Sequence, residues 1–151
     1  MDNKSISKRV IEECMNRGNL QVCDEVFASN WRHHDPQNPL NETGPQGARK
    51  LLQGYRDTFP DVKMTIERQI AEGDLVCTQW TARGTHKGRG FMDLAATNRS
   101  VTVTGCTLDR LQNGKIVETY DIWDTLGLLQ QLGFVPKGPE ITQQRPPEAR
   151  A

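Results

Sequence analysis

Asp121 lies in the run Val117-Glu118-Thr119-Tyr120-Asp121-Ile122-Trp123-Asp124, a mixture of branched, aromatic and acidic residues that suits a strand. Alternation puts Val117, Thr119, Asp121 and Trp123 on one face and Ile116, Glu118, Tyr120 and Ile122 on the other. If the first face is the inner one, a carboxylate beside an indole and a valine loses solvation. Its pKa then rises toward neutrality, as a general acid or base requires. If the second face is inner, Asp121 is solvated and Glu118 and Tyr120 line the interior. Alternation alone leaves both readings open.

His86 ends another alternating run, Val76, Thr78, Trp80, Ala82 and Gly84, and is expected on the face of Trp80. A lone histidine at a strand end is more often structural than catalytic. His33, His34 and Asp35 look like a base with an orienting carboxylate, but adjacent loop residues rarely face one site; of the two histidines, His34 is expected to reach a cavity mouth. Neither set has metal-ligand spacing, so no metal is expected. There is no G-x-S-x-G, G-x-G-x-x-G or Walker loop, so covalent catalysis and nucleotide cofactors are unsupported and no cofactor is expected. The glycine-rich stretch Gly84 to Gly90 joins two strands and reads as a flexible rim loop.

The elements that must hold these residues come in two blocks. Ser5 or Ser7 can cap a first helix carrying Val10, Ile11, Cys14 and Met15 on one stripe. A short second helix carries Leu20, Val22, Val26 and Phe27 and stops at a polar loop containing Trp31, His33, His34, Asp35, Pro36, Asn38 and Pro39. A third helix opens near Gly44-Pro45 and runs through Leu51, Leu52 and Tyr55. Beyond Pro60 the period becomes two: Val62 to Ile70, a Gly73-Asp74 turn, Leu75 to His86 as a second strand, then Ser100 to Leu111 and Lys115 to Trp123 joined through Asn113-Gly114. Thr125 to Leu132 is a last short helix ended by Gly133. Helices followed by a meander of long strands form an α+β layout, with helices covering one face of a curved sheet around a cavity.

The 151 residues make one domain over 1–135, and the proline-rich stretch 136–151 reads as a flexible tail. Nineteen Lys+Arg balance nineteen Asp+Glu, which gives no basic surplus for nucleic acid or an anionic membrane. No apolar run spans a bilayer and the first residues are polar, so a cytoplasmic protein is expected. Cys14, Cys23, Cys77 and Cys106 lie far apart in sequence and are expected as core thiols, neither a zinc site nor a redox pair.

Phe59-Pro60-Asp61, Ala71-Glu72-Gly73-Asp74, Gly84-Thr85-His86, Asn113 to Glu118, Trp123-Asp124 and the LLQQLG of Leu128 to Gly133, in that order and spacing, resemble the SnoaL-like polyketide cyclases, also called ester cyclases. The resemblance covers roughly residues 5 to 134. It implies an NTF2-like cone: three N-terminal helices on a strongly curved, mixed, mostly antiparallel sheet, a short C-terminal helix, and pairing into homodimers or homotetramers. It also implies an enclosed pocket that works without a cofactor on a small hydrophobic substrate. In the family's anthracycline cyclases an aspartate on the last strand is the acid/base of an intramolecular aldol closure, and the matching residue is Asp121. Asp124 would cap the helix that follows. Those cyclases carry a glutamine and a histidine on the preceding strand where this chain has Gly105 and Thr107. The missing histidine must then come from elsewhere, with His86 or His34 the candidates.

The expected function is therefore acid/base chemistry through Asp121, assisted by His86, in a pocket with His34, Trp80, Thr107, Thr119 and Trp123. Alternatives are a non-catalytic ligand- or partner-binding module, or a dehydratase, isomerase or epoxide hydrolase on the same fold. The last would need an Asp-Arg-Asp set, and alternation separates Asp109 from Arg110.

Overall fold

The structure is a computed structural model and describes residues 1–138. Asp2, rather than Ser5 or Ser7, caps the first helix: its Oδ1 accepts from the Ser5 amide at 2.7 Å. Ser7 instead turns inward and is buried. Helix α1 (Asn3–Arg9) runs on as a π-helical segment, Val10–Asn16, and is followed by α2 (Val22–Val26). Helix α3 (Gly44–Thr58) starts with proline in its first turn, as expected.

The strands are β1 (Phe27–His34), β2 (Lys63–Glu72), β3 (Leu75–Thr85), β4 (Ser100–Gln112) and β5 (Lys115–Trp123). They form one sheet in the order β1-β5-β4-β3-β2. Every neighbouring pair is antiparallel except β1 and β5. The β4–β5 hairpin turns through Asn113 and Gly114, both at positive φ, 51° and 75°. Helix α4 (Thr125–Leu132) packs on β4, and Asp124 caps it by accepting from the Gly127 amide at 2.8 Å.

Strand β1 replaces the polar loop expected after the second helix. Its sequence is polar because the inward side chains are Trp31 and His33, followed by Asp35, while Arg32 is exposed on the other side. A second departure lies in β5. The ladder to β4 is irregular between Arg110 and Leu111, so Leu111 pairs with Ile116 while Arg110 pairs with Glu118. The extra residue turns Ile116 into the core, although plain alternation sets it outside.

The core has two centres. Trp31, Phe27, Cys14, Val26, Leu52 and Ile116 belong to one; Trp80, Phe59, Val101, Val103, Leu128 and Leu132 belong to the other. Cys14 and Cys23, nine positions apart, meet in the first with their Sγ atoms 4.0 Å apart. They are core thiols, as expected, but neighbours rather than distant ones. Cys77 is only half-buried and Cys106 is exposed, both outside the core clusters.

The loop from Gly84 to Gly90 is tied down. The amides of Lys87 and Gly88 donate to the Thr58 carbonyl at 3.0 and 3.3 Å. At Gly90, φ is 44°, and a Cβ would stand 2.6 Å from the Gly54 carbonyl oxygen, so only glycine lets the loop approach α3 this closely. The expected tail at 136–151 lies, beyond Gly138, outside the described residues. Among the described residues no helix is long and apolar enough to cross a membrane.

Candidate active site

The antiparallel register of β4 and β5 sets Thr107 opposite Asp121 and Asp109 opposite Thr119. All four side chains line a cavity of about 150 Å³ between the helices and the sheet. Its walls are otherwise apolar, including Met15, Leu52, Phe59, Trp80, Val103 and Leu128. The inner face of β5 is thus the one carrying Thr119, Asp121 and Trp123. Tyr120 and Ile122 point outward, and Ile122 is 77% exposed.

Both oxygens of Asp121 are held. Thr107 Oγ1 donates to Oδ1 at 2.6 Å, and Trp80 Nε1 donates to the same Thr107 oxygen at 2.9 Å. His33 Nε2 lies 2.7 Å from Oδ2, so with the proton on that nitrogen the imidazole donates to the carboxylate. The Asp121 side chain keeps 14% of its surface exposed, while that of His33 has none. His33 comes from β1, whose parallel register puts it beside Thr119. Its ring stacks on Trp31 with centroids 5.9 Å apart.

A parallel set serves Asp109. Trp31 Nε1 donates to Thr119 Oγ1 at 2.9 Å, and Thr119 Oγ1 donates to Asp109 Oδ1 at 2.7 Å. Burial pushes the Asp109 carboxyl up to about 6, against the pull of the Thr119 hydrogen bond and of the nearby Ser7 hydroxyl. The nearby Asp121 charge adds to the rise, and His33 opposes it.

Two more groups frame the site. Trp123 Nε1 donates to Asp35 Oδ2 at 2.8 Å, which fixes the indole that lines the cavity. The Tyr55 hydroxyl, from α3, accepts from Asn38 Nδ2 at 3.2 Å. Burial, with the Asp121 and Asp35 charges as further contributions, raises the Tyr55 phenol well above its usual value, so it stays protonated.

Of the residues expected from sequence, Asp121, Trp80, Thr107, Thr119 and Trp123 meet around this cavity. His86 and His34 do not line it. His86 follows the end of β3, fully buried; its Nδ1 lies 3.1 Å from Thr97 Oγ1 and its ring is near Phe59. That is a structural setting, not a place beside Asp121. His34 follows His33 along β1 and so faces the opposite side of the sheet, stacked on Tyr120 with centroids 4.4 Å apart. Sequence reasoning missed His33, Asp109 and Tyr55. The alternation of Trp31, His33 and Asp35 was the available signal for β1. Arg110 points away from Asp109 and reaches Asp74, so no Asp-Arg-Asp set forms here. Among the described residues no group of three or more His, Cys, Asp or Glu side chains could hold a metal ion.

The departures at Gly105 and Thr107 now have a structural counterpart. The Trp80 indole occupies the space over Gly105, Thr107 gives its hydroxyl to Asp121, and the histidine arrives from β1 as His33.

A helix-covered, curved mixed sheet with one open apolar cavity defines an NTF2-like α+β cone. The chain belongs to the SnoaL-like polyketide cyclase family, whose model matches residues 6–132. Solved structures agree. It is similar to TsrD from Streptomyces laurentii (TM-score 0.78, 23% identity, 89% of this chain and 99% of that one), a likeness of fold. It is similar to AclR, a proposed hydroxylase from Streptomyces galilaeus (TM-score 0.76, 26% identity, 92% and 89% covered). It is similar as well to IdmH, a proposed polyketide cyclase from Streptomyces antibioticus (TM-score 0.72, 29% identity, 88% and 99% covered). No curated protein matches the chain.

Proposed function

We propose that the protein is a cofactor-independent cyclase that closes a ring by intramolecular aldol addition on a small hydrophobic, polyketide-like or ester substrate, with Asp121 as the base. The observation that carries this reading is a carboxylate, held at both oxygens by Thr107 and His33, at the wall of a mainly apolar cavity. Asp121 takes a proton from a carbon between two carbonyls, already acidified by conjugation. The enolate carbon then attacks a further carbonyl of the same molecule. A shaped, dry cavity folds the chain so that the two carbons meet, which replaces the entropy a free chain would lose. His33 keeps the carboxylate aimed inward.

The cavity volume bears on the substrate. About 150 Å³ is the scale of a void that takes a single aromatic ring. A neighbouring recess of about 600 Å³ with mixed walls, including Asn38, Asn41, Glu42, Gln53 and Asp57, shares Leu51 and Phe91 with it. A substrate whose reacting segment is ring-sized and whose remainder is polar suits this pair of spaces better than a fused multi-ring precursor.

The same reading makes the protein a cytoplasmic homodimer or homotetramer. Its four cysteines are free thiols, the form a reducing compartment maintains. The outer sheet face carries Leu75, Cys77, Cys106, Leu108, Tyr120 and Ile122, an apolar surface that a second copy would cover. Gel filtration giving only the single-chain mass would remove the oligomer from the proposal.

The deciding experiment is Asp121→Asn, assayed with β-diketones and β-keto esters that carry a further ketone within ring-closing reach. Retained ligand affinity and fold with turnover reduced by about 10²–10⁴-fold supports the base role. Unchanged turnover removes Asp121 as the base; no turnover of any such ester or ketone by the wild-type protein favours a ligand-binding module.

A further inference from the structure

The cavity contains a second carboxyl group that the reading above leaves idle. Asp109 and Asp121 sit on adjacent strands, each opposite a threonine that donates to its Oδ1, and each threonine in turn accepts from a tryptophan Nε1. The two Trp→Thr→Asp chains thus run in opposite senses across the β4–β5 ladder. They differ in what meets the other carboxyl oxygen. Asp121 Oδ2 has the His33 imidazole; Asp109 is buried, and Ser7 of α1, which shares the cavity wall, leaves its hydroxyl without a hydrogen-bond partner.

We propose that Asp109 is the proton donor of the site, a carboxyl that in its protonated form hydrogen-bonds the substrate carbonyl oxygen under attack and protonates it as the new bond forms. The step rests on the aldol reading of the cavity. Hydrogen-bond direction sets the atom. The Thr119 hydroxyl owns one proton and gives it to Asp109 Oδ1, which must therefore accept. The acid proton belongs on Oδ2. Charge favours the same assignment. The groups that face Asp109 are the Asp121 carboxylate from β5 and the His33 imidazole from β1, and His33 is already engaged with Asp121. Two carboxylates in one apolar cavity cannot both ionise cheaply, and the one without a cationic or imidazole partner holds its proton to higher pH. The upward displacement of the Asp109 carboxyl agrees with this.

The atoms balance without a further reactant. Asp121 accepts the proton from carbon, whose C–H pair becomes the enolate. The enolate carbon forms the carbon–carbon bond, the carbonyl π pair moves to oxygen, and Asp109 Oδ2–H supplies the proton that makes the hydroxyl. Asp121 then holds a proton and Asp109 a charge; exchange with water after release restores both.

Two measurements test this, and the first does not depend on turnover. The carbonyl stretch of ¹³C-labelled cyclohexanone is recorded in the full-chain protein and in Asp109→Val and Asp109→Asn. A stretch lowered in the wild type, raised again by valine and partly kept by the asparagine amide, supports a donor at Asp109. A stretch unmoved by either variant overturns the proposal. The second is turnover: Asp109→Asn should lower kcat by about 10²-fold or more with KM little changed, since the amide can bind the oxygen but cannot supply an acid proton. Wild-type kcat in Asp109→Asn would overturn the proposal, and a loss of that size confined to Tyr55→Phe would assign the donor to Tyr55 instead. If the wild-type protein turns over no substrate while the stretch is lowered as described, the cyclase reading fails and the donor site stands.

Discussion

Thr107 faces Asp121 across β4 and β5, and its hydroxyl gives its only proton to Asp121 Oδ1 at 2.6 Å while accepting from Trp80 Nε1 at 2.9 Å. One hydroxyl therefore satisfies an indole that would otherwise be orphaned and fixes the rotation of the carboxylate. Thr107→Val keeps the shape and removes both bonds, leaving two polar groups short of a partner. Stability should fall by about 1–3 kcal/mol, and turnover with it, whereas Thr107→Ser should stay close to wild type. Urea unfolding of the two variants separates the outcomes; equal loss in both would mean that the methyl group matters and the hydroxyl does not.

His33 is the partner of Asp121 that cannot be replaced from the cavity wall, because its side chain is fully buried against Trp31. His33→Leu leaves Asp121 Oδ2 without a donor in apolar surroundings. The expected cost is about 1–3 kcal/mol of stability and a lowered turnover. His86→Leu, remote from the cavity, should affect stability while sparing turnover in the folded fraction. A larger loss of turnover from His86 than from His33 would reverse the assignment of the two histidines.

Much of the frame was legible because its signals are local. Gly44-Pro45 marked α3, Asn113-Gly114 marked the last hairpin, and alternation put Thr119, Asp121 and Trp123 on one face of β5, while the family resemblance supplied the direction of that face and the position of Thr107. Strand β1 was not legible for a physical reason. Its ladder partner β5 lies some ninety residues on, and the residues it turns inward, His33 and Asp35, are polar because they belong to the site. A strand that carries functional groups loses the apolar alternation by which strands are read. Asp109 escaped for a related reason: its burial depends on Thr119 and Ser7, which meet it only in three dimensions.

The Asp109 carboxyl gives stability a definite pH dependence. Its folded value of about 6 exceeds its ordinary 3.8, so between these values the native state holds a proton that the unfolded chain has lost. Stability is thus full below about pH 4, declines as pH rises through 6, and is flat above. The loss from this group is about 3 kcal/mol. Asp109→Asn should remove this decline and unfold at higher urea than expected from its acid-pH stability when both proteins are compared at pH 7. Parallel curves for the two proteins from pH 4 to 7 would place the titration elsewhere.

Gly105 lets Trp80 lie flat against the sheet. A Cβ there would stand 2.6 Å from Trp80 Cζ2 and 2.8 Å from Trp123 Cβ, both too close for any real side chain. Trp80 cannot swing aside freely, since its Nε1 is bound to Thr107 and its ring lies in the second core cluster. Gly105→Ala should therefore push the indole out of line, cost about 1–3 kcal/mol, and lower turnover by loosening the Thr107 hydroxyl that holds Asp121. The mechanism has a specific signature in a double-mutant cycle. Trp80→Phe removes the outer indole ring that the new Cβ would strike, so Gly105→Ala should cost clearly less in that background than in the wild type. If the two substitutions simply add, the strain lies in the backbone of β4 or against Trp123, and the link from Gly105 through Trp80 to Asp121 is broken.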